Sequence, residues 1–278
     1  DESTMGRWSF TLEGAPPLLF TGNETNERVL YGHDGEPYTK DAFHRRVVDG
    51  EEEAVNPRQH GTKMCGWYLF AVPAGGNVSV RLRLRADEPL AASFAEFDGM
   101  FGLRQKEADD FYCSLRSCEL SDDARLVQRQ AFAGLLWSKQ FYHYVVEDWL
   151  TGDPAKVAPP EERLAGRNAE WRHFFTDDIL SMPDKWEYPW FAAWDLAFHM
   201  IPFAQIDPEF AKTQLQLLLR EWYLHPNGQI PAYEWAFSDV NPPVHAWACY
   251  RVFKIDARGS GTPDYAFLER CFHKLLMN

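Results

Sequence analysis

The sequence predicts a mixed fold in which a β-rich N-terminal part precedes a helical part of the α/α toroid kind. Apolar and polar residues alternate up to about residue 90, and apolar residues recur at three- and four-residue steps from about residue 95. In the last third, helix and loop alternate at a spacing of roughly 25 residues, which is typical of helical toroids. With 278 residues, 45% of them hydrophobic, the chain is long enough to bury a core, so intrinsic disorder is excluded as its main state.

The β-rich part contains one pattern typical of a hairpin. Residues 64–72 and 77–85 are the predicted strands, and Pro73 to Gly76 forms the turn between them. In the second strand Val78, Val80, Leu82 and Leu84 alternate with polar side chains, so these four are expected to face a core. A further strand is expected over residues 7–13.

Helical spacing begins with a connecting helix over residues 97–115. Ser121 is placed to cap a long second helix that is expected to run to about Trp149, with two acidic residues in its first turn. Residues 151–183 contain several prolines and a charged stretch, which favour a long surface loop.

Four shorter helices are expected in the last third of the chain. The first covers residues 190–201, with Pro189 tolerated in its opening turn. Asp207 and Pro208 predict the start of a second helix that ends near Leu224. The remaining two are expected over residues 242–255 and from residue 263 or 264 onward.

Charge and cysteine content exclude several classes of partner. The net charge of −13 and the pI near 5.1 disfavour binding to nucleic acid or to an anionic membrane surface. No apolar run reaches the roughly 18 residues that span a bilayer. Five cysteines form an odd set without metal-binding spacing, so we expect reduced thiols, a cytoplasmic location and no metal.

The first candidate site is the aromatic and acidic segment from Asp184 to His199. Its candidate substrate-binding residues are Tyr188, Trp190, Trp194 and Asp195. Aromatic faces pack on the C–H patches of sugar rings, and carboxylates accept hydrogen bonds from neighbouring hydroxyls. A Trp-rich core helix with a solvated Asp and a buried His is the structural alternative. A metal held by Asp195 and His199 is a second alternative, without an evident third ligand.

The second candidate site lies in the loop from His225 to His245, between two helices. Its candidate substrate-binding residues are Gln229, Tyr233, Glu234 and Trp235. Loops carry functional side chains disproportionately, and both segments are expected at the same end of consecutive helices. In the alternative interpretation, Glu234 and Asp239 only cap helices or face water.

At these two segments the sequence resembles glycoside hydrolase family 63, which includes processing α-glucosidase and mannosylglycerate-hydrolase-like proteins. The residues that carry the resemblance are DKWEYPWFAAWDLAFH at 184–199 and GQIPAYEWAFSDVNPPVHAW at 228–247. The stretch VQRQAFAGLLWSKQ at 127–140 and Gly61-Thr-Lys63 add to it.

The resemblance implies an architecture and an activity. Residues 1–92 are expected to be the C-terminal part of a β-sandwich, residues 93–120 a connecting helix or linker, and residues 121–278 the first part of an incomplete (α/α)6 barrel. The implied activity is that of an inverting exo-α-glycosidase, α-glucosidase-like, with no cofactor and no metal. The implied partner is an α-linked glucoside or a related small saccharide.

The resemblance also implies roles for individual residues. Asp195, in the pair Trp194-Asp195, matches the carboxylate that binds sugar hydroxyls, and Tyr188 and Glu234 match pocket-lining positions. The family's general acid and general base fall after Asn278, so no catalytic residue is expected in this chain. The isolated chain is therefore expected to be inactive and to pair with the missing C-terminal barrel segment or with another copy.

Two further hypotheses stay open at this point. The chain is alternatively a non-catalytic carbohydrate-binding protein or a degenerate glycosidase relative in which the pocket survives without the chemistry. The third hypothesis is a helical domain whose tryptophans only pack in its core.

Overall fold

The computed structural model describes residues 5–86, 94–115, 119–155 and 157–277. It divides the chain into two compact units, Asp1–Asp109 and Asp110–Asn278. The division falls within the stretch 93–120 that the sequence predicts as a linker. The β-sandwich and the (α/α)6 barrel stay predictions, and the predicted boundary at residues 92 and 93 lies outside the described residues.

The first unit is built from two small antiparallel sheets. Its strands are β1 (Trp8–Leu12), β2 (Leu18–Thr21), β3 (Lys63–Gly66) and β4 (Leu82–Ala86), and its helices are α1 (Glu27–Tyr31), α2 (Ala42–Val47) and a 3-10 helix at Glu52–Ala54. Strand β1 pairs with β4, and β2 pairs with β3. Helix α3 (Phe97–Ser114) spans the division between the units and lies where the sequence predicts a helix.

The predicted hairpin over residues 64–85 is wrong, although its turn is present. The N–H of Gly76 donates to the carbonyl of Pro73 at 2.9 Å, but β3 and β4 pair with strands far earlier in the chain. Arg81 anchors β4 beside β1, since its guanidinium bonds Glu13 at 2.9 Å and Asp98 at 2.8 Å. Leu82 and Leu84, expected to face a core, are exposed.

The second unit carries most of the helices. In chain order it contains α4 (Asp122–Trp137), β5 (Lys139–Val145), α5 (Val146–Thr151), 3-10 helices at Glu161–Ala165 and Ala169–Trp171, β6 (Phe175–Ser181), α6 (Ala193–Phe203), α7 (Pro208–Leu217), α8 (Val244–Ser260) and α9 (Tyr265–Leu275). Strands β5 and β6 form an antiparallel pair whose register runs from Lys139 opposite Ser181 to Val145 opposite Phe175.

Side-chain caps start three of these helices where the sequence predicts them. The Ser121 hydroxyl accepts from the N–H of Ala124 at 3.2 Å and begins α4. Asp207 and Asp264 accept from N–H groups three residues on, at 2.9 and 3.0 Å, and begin α7 and α9. Each cap satisfies a backbone donor that has no partner inside its helix.

The predicted ends of several elements are wrong. Helix α4 stops at Trp137 instead of reaching Trp149, because the aromatic residues that follow it pair as β5 with a strand in the predicted loop 151–183. Helix α6 begins at Ala193 instead of Trp190, so Pro189 lies outside its first turn. Helix α7 ends earlier and α8 ends later than predicted.

The core of the second unit lies between β5, β6 and helices α6 to α9. Its largest fully buried side chains are Trp171, Phe174, Phe191, Phe203, Tyr223 and Phe237. A buried Lys212 joins three helices, since its ammonium lies 3.0 Å from Asp256 on α8 and 2.9 Å from Asp264 at the start of α9. This core fixes the end of α6 at which the candidate site lies.

Within the described residues, no helix is both long enough and apolar enough to cross a bilayer. Four cysteines are free thiols, namely Cys65, Cys113, Cys249 and Cys271. The fifth, Cys118, lies outside the described residues.

Candidate functional site

A short backbone pairing brings the two candidate segments together. The N–H of Ala193 donates to the carbonyl of Ala232 at 2.8 Å, and the N–H of Glu234 donates to the carbonyl of Phe191 at 3.0 Å. The chain just before α6 is therefore extended and lies beside the turn that carries Glu234. This pairing explains why α6 starts late, since these residues bond to another segment instead of to their own helix.

The carboxylate of Glu234 is held from the β5–β6 pair. The hydroxyl of Tyr142, on β5, donates to Oε2 of Glu234 at 3.0 Å. Burial and the neighbouring Glu234 charge raise the pKa of Tyr142 well above its usual value, so the phenol remains a donor at all ordinary pH values. Among the described residues, the second oxygen of this carboxylate, Oε1, accepts no hydrogen bond.

Aromatic rings of the two paired segments pack edge-on against one another. Tyr188 and Trp190 lie 4.5 Å apart at 77°, and Trp190 and Trp235 lie 5.7 Å apart at 89°. The guanidinium of Arg167 covers the ring of Trp235 at 4.3 Å. Each indole is thus fixed by a neighbour, and Trp235 keeps 48% of its surface exposed.

Asp195, in the first turn of α6, belongs to the same group. Burial raises the pKa of its carboxyl above the usual value, although its own N–H and the nearby His199 oppose that shift. Burial raises the pKa of Tyr188, Trp190 opposes that rise, and Asp195 and Tyr233 add to it, so Tyr188 lies within electrostatic range of both. We call Tyr142, Tyr188, Trp190, Asp195, Tyr233, Glu234 and Trp235 the Glu234 cluster.

His199 does not complete a metal site with Asp195. Nδ1 of His199 hydrogen-bonds the hydroxyl of Ser181 at 3.1 Å. Burial lowers the pKa of His199, against the opposing charge of Asp195, so the ring is neutral near pH 7. Among the described residues, no three His, Cys, Asp or Glu side chains are grouped to hold a metal ion.

Two of the eight candidate residues lie apart from the Glu234 cluster. Trp194 packs against Phe198 at 6.0 Å, and the amide of Gln229 donates to the carbonyl of Asp239 at 3.1 Å. Both line an open cleft of about 600 Å³, together with His245. The structure therefore brings six of the predicted residues together and places these two in a neighbouring cleft.

Buried polar atoms without partners concentrate near the Glu234 cluster. Oδ2 of Asp195 and Nε2 of Gln140 are both buried, and neither has a hydrogen-bond partner among the described residues. Gln140 lies two positions before Tyr142 on β5, and its side chain therefore points to the same face. An unmet buried polar group costs free energy, so these two atoms are candidate contacts for a bound molecule.

The sequence analysis missed Tyr142, Arg167 and Asn168. Tyr142 and Tyr144 alternate with other residues within Lys139–Val145, which is a strand pattern. The predicted helix that continues to about Trp149 covers this stretch, so the strand is not predicted. Asn168 contacts the turn carrying Glu234, across 66 residues of sequence, and no local pattern predicts that contact.

Comparison with known proteins places part of this site in a glycosidase-like domain. Residues 188–278 match the family model described as "Mannosylglycerate hydrolase MGH1-like glycoside hydrolase domain". The match includes Trp190, Asp195, Glu234 and Trp235, but it does not include Tyr142. This part of the chain is thus similar to a glycoside hydrolase domain.

A yeast protein is similar to this chain over part of its own length. The chain is 54% identical over 276 residues to "Uncharacterized protein YMR196W" of Saccharomyces cerevisiae. The alignment covers 95% of this chain and 25% of the relative, so the chain spans about a quarter of that protein's length. No solved structure matches the chain.

Proposed function

We propose that the Glu234 cluster is part of the saccharide-binding site of a glycoside hydrolase related to family 63. The observation that carries the proposal is the carboxylate of Glu234, which Tyr142 holds through one oxygen, in the turn whose Trp235 packs edge-on against Trp190. The match of residues 188–278 to a glycoside hydrolase domain supports the same conclusion.

The chemistry of the cluster suits a sugar ring. Among the residues that the structure describes, Oε1 of Glu234 and Oδ2 of Asp195 accept no hydrogen bond, and Nε2 of Gln140 donates none. A ring with several hydroxyls supplies the complementary donors and acceptors. The exposed face of Trp235 offers a surface on which the C–H groups of the ring pack.

We propose α-glucosides as the substrate class and inversion as the stereochemical course, on the strength of the family resemblance. Inversion requires a carboxylic acid and a carboxylate roughly 6.5–9.5 Å apart on opposite sides of the glycosidic bond. Asp195 and Glu234 are assigned to sugar binding in this proposal. The acid and base are expected on residues that follow Asn278, within a β-sandwich and (α/α)6 barrel architecture.

Calorimetric titration of this chain tests the binding proposal. Glucose, an α-linked glucobiose and mannosylglycerate are titrated into the unaltered protein and into the variant Glu234→Gln. We expect at least one of these saccharides to bind, and we expect Glu234→Gln to weaken it about tenfold through loss of a charge-assisted hydrogen bond. Glu269→Gln, an exposed carboxylate on α9, is the matched control and leaves the affinity unchanged.

A hydrolysis assay tests the assignment of the two carboxylates. The chain alone is expected to release no product from an aryl α-glucoside. Turnover that is lost in both Asp195→Asn and Glu234→Gln would show that these residues are the catalytic pair.

A further inference from the structure

The side-chain amide of Asn168 hydrogen-bonds the turn that carries Glu234 through both its nitrogen and its oxygen. Its Nδ2 donates to the carbonyl of Glu234 at 2.6 Å, and its Oδ1 accepts from the N–H of Phe237 at 2.9 Å. Nδ2 also lies 3.3 Å from the hydroxyl of Tyr144 on β5. One side chain therefore bonds both ends of the turn and ties it to the β5–β6 pair.

The backbone of Asn168 is suited to this position. Its φ of 62° and ψ of 16° lie in the left-handed region, which asparagine adopts more readily than most residues with a side chain. This conformation begins the 3-10 helix Ala169–Trp171 and turns the amide toward residues 234–237. Glycine would keep the backbone but lose the bonds, and other residues would strain it.

Neighbours of Asn168 contact the same turn. Nε1 of Trp171 donates to the hydroxyl of Ser238 at 2.8 Å, and its ring lies 5.5 Å from that of Phe237. On the other side, Arg167 stacks on Trp235 and on Trp149 of α5. The segment 167–171 thus holds residues 234–238 at several consecutive positions.

The bonds of Asn168 and Tyr142 to Glu234 are complementary. Asn168 fixes the main chain of Glu234, and Tyr142 fixes its carboxylate. A binding group held at both places loses less conformational freedom when its ligand arrives, which raises affinity. Both residues lie outside the range 188–278 that matches the glycoside hydrolase domain.

We infer that Asn168 is a positioning residue of the saccharide site, which sets Glu234 and Trp235 in place before the sugar binds. The inference rests on the proposed function and adds to it a contribution from the segment before the matched domain. Asn168 touches no sugar itself and acts through the turn that it holds.

The test compares Asn168→Asp with Asn168→Gly and with the control Asn77→Asp. Aspartate keeps the acceptor for the N–H of Phe237 but directs a second oxygen at the carbonyl of Glu234, so one hydrogen bond is replaced by repulsion between two acceptors. Glycine removes both bonds and keeps the backbone conformation, and it serves if the aspartate variant fails to fold. Asn77 is exposed and belongs to the first unit.

Each protein is titrated by calorimetry with glucose, an α-linked glucobiose and mannosylglycerate, and its thermal midpoint is measured. We expect Asn168→Asp and Asn168→Gly to weaken binding about tenfold, as the loss of roughly 1.4 kcal/mol requires. If each variant remains fully folded at the titration temperature, its weaker affinity is not caused by unfolding. Asn77→Asp binds as the unaltered protein does.

The outcomes separate the two proposals. If the unaltered protein binds a saccharide and the folded Asn168 variants bind it equally well, the positioning role is wrong and the proposed function stands. If the variants lose thermal stability but keep their affinity, Asn168 is structural only. If the unaltered protein binds none of the three saccharides, the proposed function fails and the positioning role fails with it.

Discussion

Glu234 draws its position from residues that are distant in sequence. Tyr142 lies 92 residues before it and supplies a hydrogen bond to one carboxylate oxygen. The ring of Tyr142 is buried and packs against Phe191 at 6.1 Å, so the hydroxyl has little freedom to move. Removing the hydroxyl oxygen of Tyr142 should therefore have a measurable effect, because that one atom holds Glu234.

Tyr142→Phe removes that hydroxyl and keeps the ring. We expect the free energy of unfolding to fall by about 1 kcal/mol, because one hydrogen bond is lost and Glu234 retains access to water. Denaturant unfolding measures the change. Tyr250→Phe, at an exposed position on α8, is the control and should unfold like the unaltered protein; equal stability of the Tyr142 variant would mean that the bond contributes nothing.

Because His245 is buried, we expect the folded protein to lose stability in mild acid. His245 lies on α8, with Nε2 bonded to the carbonyl of Leu215 at 3.0 Å, and burial lowers its pKa to about 4 against the opposing effect of that carbonyl. The unfolded chain binds a proton near the ordinary value of about 6.5, so unfolding takes up a proton between these values. The stabilisation is complete above about pH 6.5 and is lost as the pH falls toward 4.

We expect His245 to account for about 3 kcal/mol of that loss, since each pKa unit corresponds to about 1.4 kcal/mol. Denaturant unfolding between pH 7 and pH 4 measures it. His245→Gln keeps a donor for the Leu215 carbonyl and does not titrate, so its stability should fall less over the same range. Parallel curves for the two proteins would rule out the assignment.

At the scale of elements, Lys212 joins α7, α8 and α9. Only 7% of Lys212 and 8% of Asp256 are exposed, and Glu209 is a further partner at 2.5 Å. Burial disfavours the ammonium, but hydrogen bonds to Glu209, Asp264 and Asp256 raise its pKa above the usual value overall. The ammonium of Lys212 thus holds α7, α8 and α9 together through several ion pairs.

Lys212→Met leaves Asp256 buried without its cation. We expect a loss of roughly 3–5 kcal/mol in the free energy of unfolding, since the uncompensated charge is costly. Adding Asp256→Asn should restore part of it, because the variant then buries no carboxylate there. Lys106→Met, on the exposed surface of α3, is the control for removing a lysine; a similar small effect of both substitutions would contradict the role of Lys212.

The elements also show how far local sequence carries a prediction. Ser121 and Asp207 cap helices as predicted, because a cap bonds an N–H only three residues away, and Asp264 caps the helix predicted to start at residue 263 or 264. Strands β3, β4 and β5 were misassigned or wrongly paired, because their partners lie far along the chain. Pairing over such distances depends on tertiary packing, which local propensity does not encode.

The candidate site likewise contains residues that the sequence predicts and residues that it does not. Residue types identified Glu234, Trp235, Trp190 and Asp195, because carboxylates and indoles close together suggest sugar chemistry. The partners that hold them, Tyr142 and Asn168, became visible only in three dimensions.

At the scale of the whole molecule, the two units differ in how much core they bury. The described core of buried aromatic and aliphatic residues belongs to the second unit, whereas the buried hydrophobic side chains described in the first are Leu19, Ala42 and Ala54. Small two-stranded sheets with little core are only marginally stable. The two units should therefore open with different free energies.

Native-state hydrogen exchange measured by mass spectrometry tests that difference. We expect peptides from α6, α7 and α8 to exchange slowest, at the free energy of global unfolding, and peptides from β1 to β4 to exchange faster. Equal protection of the two sets would show that the first unit is stabilised by contacts not accounted for by its core.

The most direct test of the saccharide site is to observe its tryptophans during titration with an α-linked glucobiose and mannosylglycerate. The protein contains 11 tryptophans, whose indole N–H signals are assigned by single Trp→Phe substitutions in NMR spectra of the ¹⁵N-labelled chain. We expect the signals of Trp190 and Trp235 to shift in a saturable manner, while those of Trp137 and Trp222 stay in place. Shifts confined to Trp194 and Trp247, or no shift with either saccharide, would contradict it.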